Sequence, residues 1–135
     1  MIAALRAVAR AGAIGLFLAV WGGVHAPLIV LSRGSRRRAH QRRLLAGGCR
    51  GTLRLLGVRV GVEGSRPATS GMLVTNHLGY LDVLVLGATL DAVFVSRADV
   101  RHWPVFGWFA RAARTIFLER ERKRQLPEIV GVMHR

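Results

Sequence analysis

Residues 11–31 are nearly all apolar, broken only by His25 and Pro27. That length matches the roughly 20 residues a bilayer requires of one helix. Arg6 and Arg10 precede the run, and Arg33, Arg36, Arg37, Arg38, Arg42 and Arg43 follow it. The larger positive cluster on the C-terminal side assigns that side to the cytoplasm. A secretory signal peptide would carry a shorter apolar core and a small-residue cleavage site, and no convincing site precedes the arginine block. The segment therefore reads as a membrane anchor. Gly22, Gly23 and Pro27 leave two forms open, a spanning helix and a helical hairpin within one leaflet.

The charge follows the same logic. A length of 135 residues sets one domain as the starting expectation. A hydrophobic content of 51% excludes a disordered chain. The formal net charge of +14 comes from arginine, Lys123 being the only lysine. It calls for an anionic partner: membrane lipid, a phosphate-bearing substrate or nucleic acid. The basic block adjoins a bilayer-length apolar run and has no base-stacking aromatics interleaved, so no nucleic acid is expected. Cys49 is the single cysteine, which excludes an intrachain disulfide and a cysteine-based metal cluster. Nearby arginines favour a thiolate, but a buried, inert thiol is the expectation.

Residues 36–56 read as a helix, with Leu45, Cys49, Leu53 and Leu56 at helical spacing. Arg42, Arg43, Arg50 and Arg54 lie mostly elsewhere around it, the pattern of a basic interfacial helix on anionic lipid. Gly57 ends it. Residues 58–64 alternate as a half-buried strand does, and residues 65–71 have loop chemistry. Met72, Leu73 and Val74 read as a buried strand, residues 81–90 as a helix, 92–96 as a strand and 115–118 as another. Residues 122–135 start as a helix that Pro127 interrupts. The aromatic cluster of residues 102–109 has core packing as its default reading, with an acyl-chain groove or the membrane interface as the alternative. Strands alternating with helices predict an α/β fold with a mostly parallel or mixed sheet. The expected organisation is a membrane-anchoring segment with a basic interfacial helix over residues 1–56, then a short α/β domain over 57–135.

Within that domain, Asn76 and His77 stand where the buried strand should give way to a loop, and Asp82 follows five residues after the histidine. On a continuous helix a step of five turns away by roughly 140°. His77 and Asp82 therefore meet only across a turn, which Gly79 permits. A carboxylate on one imidazole nitrogen fixes the tautomer and leaves the other nitrogen as a base. On spacing alone, a loop histidine beside a helix-capping aspartate explains the residues as well. A metal reading of His77 and Asp82 lacks a third ligand at a plausible spacing.

The motif Asn76-His77-x-x-x-x-Asp82 resembles the first signature of the glycerolipid acyltransferases, the 1-acylglycerol-3-phosphate acyltransferase family. Trp103-Pro104-Val105-Phe106-Gly107 is similar to the family's Trp-Pro-x-x-Gly segment. Thr115-Ile116-Phe117-Leu118-Glu119-Arg120 resembles its second signature, with Arg114 where the family has a leading glycine. The resemblance covers roughly residues 58–120. It implies a truncated α/β acyltransferase-like domain that moves an acyl group from acyl-CoA or acyl-carrier protein to the free hydroxyl of a lysophospholipid. The acceptor it implies first is 1-acylglycerol 3-phosphate, with a lyso-ornithine lipid as the alternative. His77 would be the general base, Asp82 its orienting partner, Asn76 a turn or carbonyl contact, and Arg120 the holder of the acceptor phosphate. No cofactor or metal is implied beyond the acyl donor. The family's third signature, Phe-Pro-Glu-Gly-Thr, has only a superficial counterpart in Leu126-Pro127-Glu128. The chain then reads as stopping before it, so a catalytically incomplete, membrane-binding member of the family is the other expectation.

Overall fold

The computed structural model describes residues 2–65, 71–76 and 79–119. Two long helices come first, α1 (Ile2–Leu31) and α2 (Gly34–Leu56). At 1.5 Å per residue α1 is about 45 Å long, more than the roughly 30 Å of a bilayer core. It is the one helix among the described residues that is long and apolar enough to cross a membrane. It continues through Pro27, so the apolar run is a single helix. The hairpin is instead formed between α1 and α2, which reverse at Ser32 and Arg33.

The seam of this hairpin is built from Phe17, Trp21 and His25, one helical turn apart and ring against ring. The Trp21 indole N–H donates to the Leu44 carbonyl at 3.0 Å. The His25 Nδ1 lies 3.0 Å from the Trp21 carbonyl, which only accepts, so that nitrogen carries the proton. Glycines on α2 admit the rings: a methyl group on Gly47 would collide with Trp21, and one on Gly51 with Phe17. Leu44, wholly buried at 0% exposure, lies at the centre of α2. Burial of such a side chain contributes about 1.5–3 kcal/mol.

Another side of α2 receives α3 (Tyr80–Thr89), and α4 (Phe106–Ala112) packs against both α1 and α2. α3 runs antiparallel to α2. Gly87 sits against Leu45 and Cys49, and Asp91, just past the end of α3, pairs with Arg42 at 2.7 Å. Trp108 and Phe109 of α4 meet edge to face and lie over Gly22 and Gly48. β1 (Val95–Arg97) and β2 (Ile116–Leu118) form a two-stranded parallel sheet, in register Val95 to Ile116 and Arg97 to Leu118. A 3₁₀ turn (Ala98–His102) and α4 make the crossover that parallel strands require.

The described chain is thus mostly helical with a small parallel sheet, which is broadly compatible with the α/β expectation. The helices over 36–56 and 81–90 match α2 and α3. β1 lies slightly later than the expected 92–96, and β2 falls within 115–118. Two expected strands are absent. Residues 58–64 and 72–74 carry no strand pairing, and Val74 is 79% exposed. Alternating or apolar residues become a strand only when a neighbour offers a ladder. Among the described residues β1 and β2 pair only with each other. The expected helix start over 122–135 lies outside the described residues. Arg42, Arg43, Arg50 and Arg54 are exposed as expected. The apolar side of α2, however, is already covered by α1, α3 and α4.

The C-terminal end of α2 is closed by backbone bonds. After α2, Gly57 adopts φ 76°, its N–H bonds the Arg54 carbonyl, and the Val58 N–H bonds the Leu53 carbonyl. This is the paired bonding of a left-handed C-terminal cap. Cys49 is buried, and burial pushes its thiol up to about 11, with Arg50 opposing more weakly. The inert thiol is what the geometry delivers.

Three outcomes follow. Gly47→Ala drives a methyl into the Trp21 ring and lowers stability by about 1–3 kcal/mol. Gly12→Ala, where nothing lies within 4 Å, raises helix stability by about 0.5–1 kcal/mol. Thermal unfolding in detergent, followed by circular dichroism, reads the opposite signs. The unfolded chain releases the Cys49 proton near pH 9.0 and the folded chain near pH 11. That contribution to stability is therefore complete below pH 9 and lost as pH rises through 11. Unfolding of Cys49→Ala compared with the parent over this window shows a shallower fall.

Candidate active site

The first signature straddles the entry to α3. Residues 71–76 are exposed and lead in, and Asn76 is exposed at their end. His77 lies outside the described residues, as does Arg120. Gly79 is the residue before α3 and is fully extended, with φ 179°. Its backbone is therefore one that any residue adopts, and its expected special freedom is not used. Asp82 is half-buried in the first turn. Its Oδ2 accepts the Gly79 N–H at 2.9 Å, and its own N–H bonds the Gly79 carbonyl at 3.2 Å. The carboxylate also sits at the positive end of the helix dipole. The capping role that spacing alone allowed is thus present. It occupies one of about four acceptor positions of a carboxylate, which is compatible with an imidazole partner on the same group.

The aromatic cluster divides. Trp108 and Phe109 are packing residues against α1 and α2, as the default reading expected. Trp103 and Phe106 are exposed. Trp103 lies against Tyr80, ring centres 6.5 Å apart, at the start of α3. Tyr80 is 78% exposed. Nothing in the spacing marked Tyr80 as part of the site, although its position within the first signature was a signal. Between the two exposed rings the backbone is strained. Val105 takes φ 63° and ψ −65°, and the Phe106 N–H bonds the Pro104 carbonyl at 2.7 Å. This is the rare form of three-residue turn. For a β-branched residue it costs of the order of 1–3 kcal/mol. It turns the chain between Trp103, which lies against Tyr80 of the first signature, and Phe106.

The second signature begins with a structural explanation of its own departure. Arg114 is the second residue after α4, following Ala113, and has φ 64°. Its N–H bonds the Arg111 carbonyl and the Thr115 N–H bonds the Ala110 carbonyl, the same cap that Gly57 makes after α2. Glycine is the residue that takes this conformation without penalty. The leading glycine of the signature thus corresponds to a left-handed cap, and here an arginine is held in it. The Arg114 side chain faces the N-terminal turns of α2, with Arg37, Arg38 and Gln41. Ile116 and Leu118 then pair with β1, and Glu119 follows exposed.

The Acyltransferase family matches residues 58–135, more than half of the chain, and the chain belongs to that family. It is 45% identical over 71 residues to a lyso-ornithine lipid O-acyltransferase of Rhizobium meliloti, covering 52% of this chain and 24% of that protein. It is 35% identical over 108 residues to a lyso-ornithine lipid O-acyltransferase of Pseudomonas aeruginosa, covering 80% of this chain and 40% of that protein. A 1-acyl-sn-glycerol-3-phosphate acyltransferase of Neisseria gonorrhoeae is 32% identical over 79 residues, 56% of this chain and 31% of that protein. The chain therefore spans between about a quarter and two fifths of the length of these relatives. No solved structure matches.

The Arg114 cap gives a direct test. Arg114→Gly relieves a left-handed arginine and raises stability by about 1 kcal/mol, read as a higher unfolding midpoint in detergent.

Proposed function

We propose that this chain carries the base and the acceptor-binding arginine of a membrane-bound acyltransferase. The observation that carries the reading is the His77-x-x-x-x-Asp82 motif at the entry to α3, with Asp82 fixed on the first turn of the helix, inside the region that matches the family. In this reading His77 takes the proton of a lyso-lipid hydroxyl, and the oxygen attacks the thioester carbonyl of acyl-CoA or acyl-carrier protein. The carbon–sulfur bond breaks as the carbon–oxygen bond forms, and His77 returns the proton to the departing thiolate. Asp82 holds the imidazole and stabilises its charged form. Arg120 holds the anionic group of the acceptor through its planar fork, and Asn76 holds the turn or polarises a carbonyl. The exposed rings of Tyr80 and Trp103 at the start of α3 offer an apolar ledge to the acyl chain.

Residues 1–56 act as the membrane-anchoring unit and residues 57–135 as part of the acyltransferase domain. The arginines that α2 leaves exposed lie on anionic headgroups at the cytoplasmic face of the bacterial inner membrane. For the acceptor, the higher identities to lyso-ornithine lipid O-acyltransferases favour a lyso-ornithine lipid over 1-acylglycerol 3-phosphate. A second reading is a membrane-binding unit that does not turn over alone. The exposed 72–74 segment favours it, because the motif is then carried by a stretch with no ladder partner among the described residues.

Transfer of labelled acyl groups by the chain in lipid vesicles tests both readings. Lyso-ornithine lipid and 1-acylglycerol 3-phosphate are offered in parallel, each with acyl-CoA and with acyl-carrier protein. Turnover that falls by about 10²–10⁴-fold in His77→Ala supports the base assignment. Equal turnover in the variant refutes it. No turnover by the parent chain with any pair supports the second reading.

A further inference from the structure

A second concentration of arginine lies away from the first signature. Gly34, Arg37, Arg38 and Gln41 of α2 form one stripe at i, i+3, i+4 and i+7. With Arg114 they line an open cleft of about 400 Å³. Arg38 is one turn before Arg42, whose partner Asp91 lies past the C-terminal end of α3. Asp82 is at the N-terminal end of α3, so the length of α3 separates the cleft from the first signature.

Three features of the cleft point to an anion. The first is charge without compensation. Arg37, Arg38 and Arg114 make no ion pair among the described residues, and no acidic residue precedes Glu63 in the sequence. The arginines also occupy the first turns of α2, where the helix dipole is positive and disfavours them. The first turn has neither an acidic residue nor a side-chain cap, so its backbone N–H groups are left without helical partners. The second is Gln41, which is only 9% exposed and faces the cleft. Its amide makes no hydrogen bond among the described residues and is open to the solvent of the cleft, so it is available to a ligand there. The third is the left-handed backbone that Arg114 keeps in order to bring its side chain here. Strain of this kind is kept where it positions a group.

We propose that this cleft binds a phosphate group, with the guanidinium groups of Arg37, Arg38 and Arg114 and the Gln41 amide as its donors. Guanidinium forks match tetrahedral oxyanions and are more weakly hydrated than an ammonium. Phosphate is the chemistry available on both sides of the cleft, as the headgroup of an anionic lipid at the membrane surface or as a soluble phosphate from the aqueous side.

Binding is measured on the full chain with two probes at constant ionic strength. Inorganic phosphate is titrated in non-ionic detergent with the unfolding midpoint as readout. Phosphatidylglycerol vesicles are compared with phosphatidylcholine vesicles by flotation. Arg114→Gly and Gln41→Leu are set against Arg36→Gln, which removes one arginine charge from the first turn of α2 outside the cleft. Arg114→Gly stays folded, its empty form being the more stable, yet it loses the phosphate-induced rise or binds phosphatidylglycerol roughly tenfold more weakly. Gln41→Leu follows it, and Arg36→Gln keeps the parent response. Loss in the phosphate arm alone identifies a soluble phosphate, and loss in the vesicle arm alone a lipid headgroup. If Arg114→Gly and Gln41→Leu respond like the parent in both arms, or Arg36→Gln loses as much as they do, the site does not exist.

Discussion

The indole of Trp21 lies flat against the backbone of α2 at Gly47, with its N–H on the Leu44 carbonyl. This contact fixes the depth at which α1 and α2 pack. Phe17 over Gly51 and His25 one turn on extend it in both directions. Once α2 is held there, its Leu45 and Cys49 set the position of Gly87 on α3, and its Gly48 together with Gly22 of α1 sets those of Trp108 and Phe109 on α4. The entry to α3 carries Asp82, and the end of α4 carries Arg114. Both signature-bearing turns are therefore referenced to one helix, and that helix is referenced to the membrane-type helix by an aromatic side chain seated on glycine.

This arrangement ties the anchor to the chemistry. A basic amphipathic helix lying on lipid would bury its own apolar face in the interface. Here α2 spends that face on protein and leaves the exposed arginines for an anionic surface. The site end of the molecule is the N-terminal end of α3, where Tyr80 and Trp103 stay exposed. The far end is the turn between α1 and α2, where the arginine cleft lies. Both ends are thus positioned by α2.

The aromatic segment shows why local sequence was only partly informative. Trp103 and Trp108 are five residues apart in a stretch that reads as uniformly apolar. A strained turn at Val105 separates them, sending one to the site and the other to the helical core. Neither residue type nor spacing encodes that division, because the turn is one that Val105 does not favour on its own. Arg114 is similar. The sequence showed a departure from glycine, but the meaning of the glycine, a left-handed cap closing α4, is visible only in the hydrogen bonds around it.

By itself the sequence determined what periodicity and local chemistry encode. The bilayer-length helix, the extent of α2 and its glycine stop, the helix after the first signature, the strand segments near 95 and 116, and the residues of both signatures were all legible there. Each depends on interactions within a few residues of one another. The tertiary structure decided what depends on partners distant in the chain. Residues 58–64 and 72–74 have strand-like patterns but no ladder, since a strand exists only where another chain segment offers its backbone. Leu44, Gly47 and Gln41 acquired their roles because α2 is enclosed from two sides, and a single helical stripe cannot announce two interfaces. The arginine cleft arose because the N-terminal turns of α2 and the cap of α4, more than 70 residues apart in sequence, converge at one end of the fold.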